Sequence, residues 1–311
     1  MLEQNIPSKS PQKLCVAVIG TVGVPACYGG FESLVDNLLD FTPPNVEYTV
    51  FCSGRKYEKR LESYKGAKLV YLEMDVNGKD SIFYDFKSMK ISDIVIGDNK
   101  GIIDYIKSEY SKTVKNKRVE LIAYGGDQVS RVQDDSLFEK YPFCREPYSV
   151  TVCRIEPENN VHVILEAFSE MLDETLVFVG NWEKSEYGRS LKEKFSVCKN
   201  IHLLAPIYEP HIVNWLRSNA HVYIHGHSAG GTHPSLVEAM NLSIPILAFD
   251  CVYNRATTEE KCLYWKSSDD LQDLMKNKSG KFAEIAREMG EAGKRLYSWE
   301  RIARQYNALY Q

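Results

Sequence analysis

The segment His225-Gly-His-Ser-Ala-Gly-Gly-Thr-His-Pro-Ser-Leu-Val-Glu238-Ala-Met constrains the fold more than any other part of the chain. It follows a hydrophobic, strand-like run, Ala220 to Ile224, and opens a helical pattern at about Pro234. A glycine turn ahead of a helix N-terminus offers free backbone N–H groups and a positive dipole end, which suits a phosphate. Proline is at home in the first helical turn, where its missing N–H costs nothing. Glu238 lies about one turn in, where a carboxylate can accept from sugar hydroxyls. The same residues also read as an ordinary strand–turn–helix corner with a solvated glutamate.

That corner has counterparts along the chain. Leu14–Ile19, Tyr48–Cys52, Lys68–Leu72, Asp93–Ile96 and Val119–Tyr124 are short apolar runs with strand character. Helical patterns lie between them at Phe31–Asp40 and Lys100–Glu109. The pattern restarts at Tyr148–Cys153, a strand, followed by a helix over Asn160–Met171. Further strands are expected at Leu176–Val179, Ile201–Leu204, His221–Ile224 and Pro245–Phe249. A closing helical stretch, Lys281–Tyr310, carries Gly290 and Ser298 as expected breaks. Strands alternating with helices predict parallel, doubly wound α/β sheets. With 311 residues and 44% hydrophobic content, two Rossmann-like domains facing a cleft are expected, joined by the polar stretch 128–146, with Pro142 inside it and Pro147 directly after it. Ligands in such sheets bind at the carboxyl ends of the strands.

Net charge is −4, so no basic field points to nucleic acid. The eight cysteines form no C-x-x-C pair, which suits a reduced, cytoplasmic setting. Residues 1–12 read as a disordered polar leader, neither signal peptide nor anchor. No apolar run approaches the length needed to span a bilayer, although peripheral contact with the inner face of the plasma membrane is compatible with this.

Two further loops carry candidate chemistry. Gly20 to Glu32, after the first strand, holds several glycines and an acid in the first helical turn. A dinucleotide site would want G-x-G-x-x-G there and an acid at the end of the second strand; the spacing differs and that strand ends in Cys52-Ser-Gly-Arg55. An NAD(P)-dependent oxidoreductase is thus a weaker alternative. In Cys153-Arg154-Ile-Glu156-Pro-Glu158-Asn159-Asn160, the Arg154 fork suits a diphosphate. It also reads as a surface arginine paired with Glu156 or Glu158, worth little. His225, His227 and His233 lack acidic or cysteine partners at metal-ligand spacing and are expected to be hydrogen-bonding or structural. No D-x-D pair is present to hold a divalent ion.

Four ordered motifs together resemble bacterial retaining GT-B glycosyltransferases, in the branch containing capsule and exopolysaccharide rhamnosyltransferases. They are Tyr28-Gly-Gly-Phe-Glu32, Arg154-Ile-Glu-Pro-Glu-Asn159-Asn160, Gly180-Asn-Trp182 and Gly230-Gly-Thr-His-Pro-Ser-Leu-Val-Glu238-Ala. Tyr264-Trp265 and Trp299–Tyr306 fit the same branch. The resemblance implies a transferase that moves a hexose or deoxyhexose, rhamnose included, from a dTDP- or UDP-linked donor to a lipid-linked saccharide in cell-surface polysaccharide biosynthesis. It implies retention and no metal or other cofactor. Arg154 and Glu238 would be the catalytic pair, Arg154 on the diphosphate and Glu238 on the ribose. Gly230, Gly231 and Thr232 would bring N–H groups to the donor, Gly180 and Asn181 would line the base pocket, and Gly29 and Gly30 would close from the other domain. His227 and Ser235 complete the expected substrate-binding set.

The resemblance also shows departures. The wider superfamily carries an acid eight positions before Glu238 and a lysine at the Asn159 position; this chain has Gly230 and Asn159, as this branch does. Between Ser81–Phe86 and Ile91–Ile96 the branch normally has two further central strands, where this chain has only Lys87–Lys90. The expected organisation is therefore a shortened N-terminal domain over 13–145, a C-terminal nucleotide-sugar domain over 146–290 and a closing helix over 291–311. A non-catalytic relative that binds nucleotide-sugar or a partner chain is the alternative, since lost central strands would leave edges and apolar faces to cover.

Overall fold

The computed structural model describes residues 13–26, 30–72 and 89–310. The chain divides into two compact units, Met1–Ile91 with Trp299–Gln311, and Ser92–Ser298. The expected leader, Gly29 and the Ser81–Phe86 block lie outside the described residues.

The first unit is built on β1 (Leu14–Val18), α1 (Gly30–Leu39), β2 (Val46–Ser53), β3 (Ser63–Tyr64) and β4 (Ala67–Leu72). The sheet order is β1-β2-β4-β3, with β1, β2 and β4 parallel and β3 antiparallel to β4. Alternate residues of β2, Val46, Tyr48, Val50 and Cys52, face a core closed by Val35 and Leu39 of α1. The helix Trp299–Asn307 belongs to this unit and buries Ile302 and Ala303. Just beyond it, the Tyr310 hydroxyl lies 3.2 Å from that of Tyr48. Among the described residues β1 has a partner on one side only.

The second unit opens with β5 (Ile94–Gly97), α2 (Lys100–Glu109) and β6 (Arg118–Leu121), β5 and β6 pairing in parallel. Then follow β7 (Tyr148–Val152), α3 (Val161–Glu170), β8 (Thr175–Val179), α4 (Glu186–Phe195), β9 (Ile201–Leu204), α5 (Pro210–Ser218) and β10 (Val222–His225). The chain continues through α6 (Pro234–Asn241), β11 (Ile246–Phe249), α7 (Val252–Thr257), β12 (Leu263–Trp265), α8 (Ser268–Lys278) and α9 (Phe282–Leu296). Six parallel strands lie in the order β12-β11-β10-β7-β8-β9. The chain thus starts in the middle, winds outward through β8 and β9, and returns to β10 on the other side of β7. That is a doubly wound sheet whose direction of winding reverses between β7 and β10, and β7 is buried nearly throughout, as a central parallel strand must be.

Three sequence expectations differ from what is observed. The boundary between compact units falls at Ile91/Ser92, and the helix returning to the first unit begins at Trp299, where boundaries at 145/146 and 291 were expected. Residues 92–145 are tied into the second unit by specific contacts. The Asn99 amide donates to Tyr253 O and Thr257 Oγ1, both at 3.1 Å, and Gly126 N donates to Tyr297 O at 2.8 Å. The stretch 128–146 is a packed segment, because its aromatic residues need cover: Phe138 and Tyr141 lie against Trp215 with ring centroids 5.0 and 6.0 Å away. Its Arg131 guanidinium also donates to Ser218 O and Ser243 O. Gly290 does not break its helix. It lies inside α9, where a Cβ would collide with Ser243, and a Cβ on Gly293 would stand 3.0 Å from the Met240–Asn241 backbone. The two glycines therefore bring α9 close against the C-terminal end of α6. No helix among the described residues is long and apolar enough to cross a membrane.

Candidate functional site

The reversal between β7 and β10 places two loops side by side at the carboxyl ends of those strands: Cys153–Asn160 after β7 and Gly226–His233 after β10. They are joined by a set of hydrogen bonds. Asn159 Nδ2 donates to Arg154 O at 2.8 Å, which turns Oδ1 toward His227 Nδ1, also at 2.8 Å. Asn160, held at φ 48°, donates its amide to Gly226 O at 2.8 Å. Ser228 donates both N–H and hydroxyl to Glu158 O, and Asn254 fixes His227 O from α7. Gly226 lies so close to the Asn159 carbonyl that no side chain fits there. Neither loop is free to move without the other.

Arg154 stands at the mouth of this pair with its side chain 54% exposed and only a 3.8 Å approach to Glu156, whose carboxylate is also paired with Lys184 at 3.1 Å. A bridge that exposed contributes little. The Arg154 charge still reaches the second loop. Burial pushes the His227 and His233 pKa values down, His233 to about 3, and in both the Arg154 cation adds to the effect. The two rings have centroids 4.5 Å apart and are neutral at pH 7, and His233 Nδ1 meets Ser235 Oγ at 2.8 Å. His225, the last residue of β10, is also buried and held neutral. Among the described residues no group of His, Cys, Asp and Glu is arranged to hold a metal.

The Gly230–Thr232 turn is engaged from a direction that the sequence does not reveal. Asp98, immediately after β5, accepts from Thr232 N at 3.2 Å through its carboxylate and from Thr232 Oγ1 at 2.6 Å through its main-chain carbonyl. The carboxylate packs onto Gly231, where a Cβ would collide with it. Burial pushes the Asp98 pKa up, against the opposing pull of the Thr232 N–H. Its position is set by the next residue, since buried Asn99 caps α2 and anchors to α7.

Glu238, in α6, is likewise held. Its Oε2 accepts from Arg217 Nη1 at 2.6 Å and its Oε1 from Gln128 Nε2 at 2.8 Å. Gly180 is buried at the end of β8, where a Cβ would meet Cys153 O at 2.8 Å and press into Ile155, so its role in the structure is to support the loop bearing Arg154. Asn181 beside it is exposed. In the first unit, Gly30 begins α1 and is exposed. Glu32 is buried and closes its own loop by accepting from Val22 N at 2.8 Å and Thr21 Oγ1 at 3.0 Å. The structure thus brings together Arg154, His227, Gly230, Gly231, Thr232, Ser235 and Glu238. It adds Asp98, Asn159, Arg217 and Gln128, which the motifs leave unassigned.

Residues 133–262 match the family model described as glycosyl transferases group 1, and residues 13–92 match a domain of unknown function, DUF1972. Among solved structures, the chain is similar to sucrose-phosphate synthase from Thermosynechococcus elongatus at a TM-score of 0.79 and 13% identity, covering 96% of this chain and 98% of that one. The fold is GT-B. A glycosyltransferase from Rickettsia africae ESF-5 matches at a TM-score of 0.67 and 11% identity, covering 96% and 98%. Anabaena HepE in complex with UDP-glucose matches at 0.69 and 11%, again covering 96% and 98%. No curated protein sequence matches significantly. In this GT-B chain the group 1 segment contains both loops at the winding reversal, with Arg154, Arg217 and Glu238; Asp98 and Gln128 lie outside it.

Proposed function

We propose that the protein is a glycosyltransferase that takes a hexose or deoxyhexose from a nucleoside diphosphate sugar and passes it, with retention, to a lipid-linked saccharide. One observation carries the donor half of this reading. Arg154 and the Gly230–Glu238 segment stand on the two adjacent loops where the winding of the sheet reverses, the place where a doubly wound sheet binds its ligand. Arg154 supplies an unsaturated guanidinium for the diphosphate, and the turn before α6 supplies N–H groups and the helix dipole. As the glycosidic bond to the diphosphate breaks, negative charge grows on the leaving oxygens, and fixed donors of this kind stabilise it without reorganising. Glu238 accepts from the ribose, and Asn181 borders the base. The HepE neighbour is described as a complex with UDP-glucose, which supports a uridine nucleotide as the first donor to test. The acceptor class, polysaccharide biosynthesis and membrane-surface work rest on the four-motif resemblance.

Calorimetric titration with UDP, dTDP and GDP tests the donor half. One nucleotide is expected to bind, and Arg154→Ala to weaken it by roughly tenfold or more, the worth of a charge-assisted bidentate contact. Binding of none of the three overturns the reading. A second reading, donor binding without transfer by a shortened relative, is favoured by β1, which among the described residues has a partner on one side only. It predicts nucleotide binding with no donor hydrolysis or transfer to any lipid-linked acceptor.

A further inference from the structure

Binding of a ribose by Glu238 needs a carboxylate that is charged and fixed in orientation, and two elements outside α6 fix it. Arg217, in the last turn of α5, places Nη1 on Oε2, and Gln128 places Nε2 on Oε1. The Arg217 side chain is only 5% exposed, and its Nε is a buried N–H with no hydrogen-bond partner among the described residues. The fold thus leaves one donor of a buried cation unsatisfied while directing another at Glu238. Stability does not explain this. Apolar residues of similar volume commonly replace a buried ion pair without loss, whereas an unpaired buried N–H is a cost.

The lone pairs complete the argument. An ionised carboxylate has about four acceptor positions. Arg217 and Gln128 take one on each oxygen, and the side chain remains 19% exposed. One position per oxygen is left, which matches two hydroxyls on adjacent carbons. We infer that Arg217 is a positioning residue for the donor: with Gln128 it orients Glu238 to accept from both hydroxyls of a ribose, so the site selects ribonucleoside over 2′-deoxyribonucleoside diphosphates. This rests on the proposed donor site and narrows its nucleotide.

The test compares the affinities of UDP and 2′-deoxy-UDP by calorimetry. The wild-type protein is expected to prefer UDP by roughly tenfold, the worth of one hydrogen bond to a charged group. Glu238→Gln and Arg217→Gln are each expected to bring that ratio near one, with thermal melting run on every variant to separate misfolding from loss of selectivity. A wild-type ratio near one, tighter binding of dTDP than UDP, or a Glu238→Gln variant that keeps the ratio overturns the assignment of Glu238 to the ribose. A ratio lost in Glu238→Gln but kept in a folded Arg217→Gln overturns the role of Arg217 alone. Should Arg217→Gln fail to fold, Arg217→Lys decides. Lys keeps the charge but lacks the planar fork, so a reduced ratio supports the inference and a wild-type ratio overturns it.

Discussion

Replacing Asp98 with asparagine removes a negative charge from the Gly231–Thr232 turn while leaving the main-chain contact to Thr232 Oγ1 in place. The side-chain amide oxygen of the new residue can still accept from Thr232 N, so the loop should keep its shape. The consequence for a diphosphate is large. An oxygen that takes the Thr232 N–H must stand within about 5 Å of the carboxylate now holding it, a repulsion of about 3 kcal/mol at an effective dielectric of 20. Asp98 is only partly buried and salt screens it, so about 1.5 kcal/mol is the more realistic figure. Asp98→Asn should therefore bind UDP roughly tenfold more tightly at pH 7.5, with the gain shrinking as salt is raised. Stability should not suffer. Burial raises the folded-state pKa of Asp98, so its contribution is full at acid pH and is lost as pH rises through that value. At neutral pH the charge is a cost that asparagine removes. Calorimetry with UDP at low and high salt is the assay. An affinity that is unchanged or weaker in Asp98→Asn would show that the carboxylate and the diphosphate do not share the turn, and the reasoning fails.

Three further outcomes are expected. Gly180→Ala should lower stability by about 1–3 kcal/mol in urea melts, because the new methyl meets Cys153 O and Ile155; an unchanged midpoint would mean the Arg154 loop yields freely. Stability should fall as pH drops from about 6.5 toward 3, by about 1.4 kcal/mol per pH unit for each ring that is charged only when unfolded. Burial holds His225 and His233 below their ordinary pKa, so the unfolded chain takes up more protons across that window, and His233→Asn should flatten the urea-midpoint profile. Iodoacetamide at pH 7.5 should modify exposed Cys15 in the native protein and spare Cys144 and Cys262 until urea is added, since burial pushes those thiols up to about 12 and about 11. Peptide mass spectrometry reads the result, and early labelling of Cys144 would contradict the packed 128–146 segment.

Strands β7, β8, β10 and β11 were legible because each is a short, largely apolar run, and burial on both faces demands that composition. The expected strand starts and ends lie within a few residues of those observed, from Leu14 to Phe249. The helices α4, α5, α7 and α8 and the strands β3 and β12 were not expected: α4 and α8 are strongly polar (Glu186–Phe195 and Ser268–Lys278) and bury only a narrow face, and α7, β3 and β12 are short. Gly290 misled because a helical glycine can report close packing as well as a break, and only the neighbouring Ser243 distinguishes the two. Arg154 and the glycine turn announced themselves by residue type at a strand end. Asp98 also sits at a strand end, so the same rule could have found it, but nothing in the chain shows that it folds onto Gly231, 133 positions away. Arg217 is a charged residue next to the apolar pair Trp215-Leu216 of α5, and nothing in the chain names its partner.

The group 1 match ends at residue 262, yet α6, which carries Glu238, leans on α9 through Gly290 and Gly293, and Glu238 itself leans on Gln128. A chimera that borrowed only residues 133–262 would bring Arg154, Arg217 and Glu238 into its host while leaving behind Gln128, the Asp98 carboxylate and the small residues that seat α6. Transplanting donor preference between relatives would then require at least Ser92–Leu296 to travel as one piece.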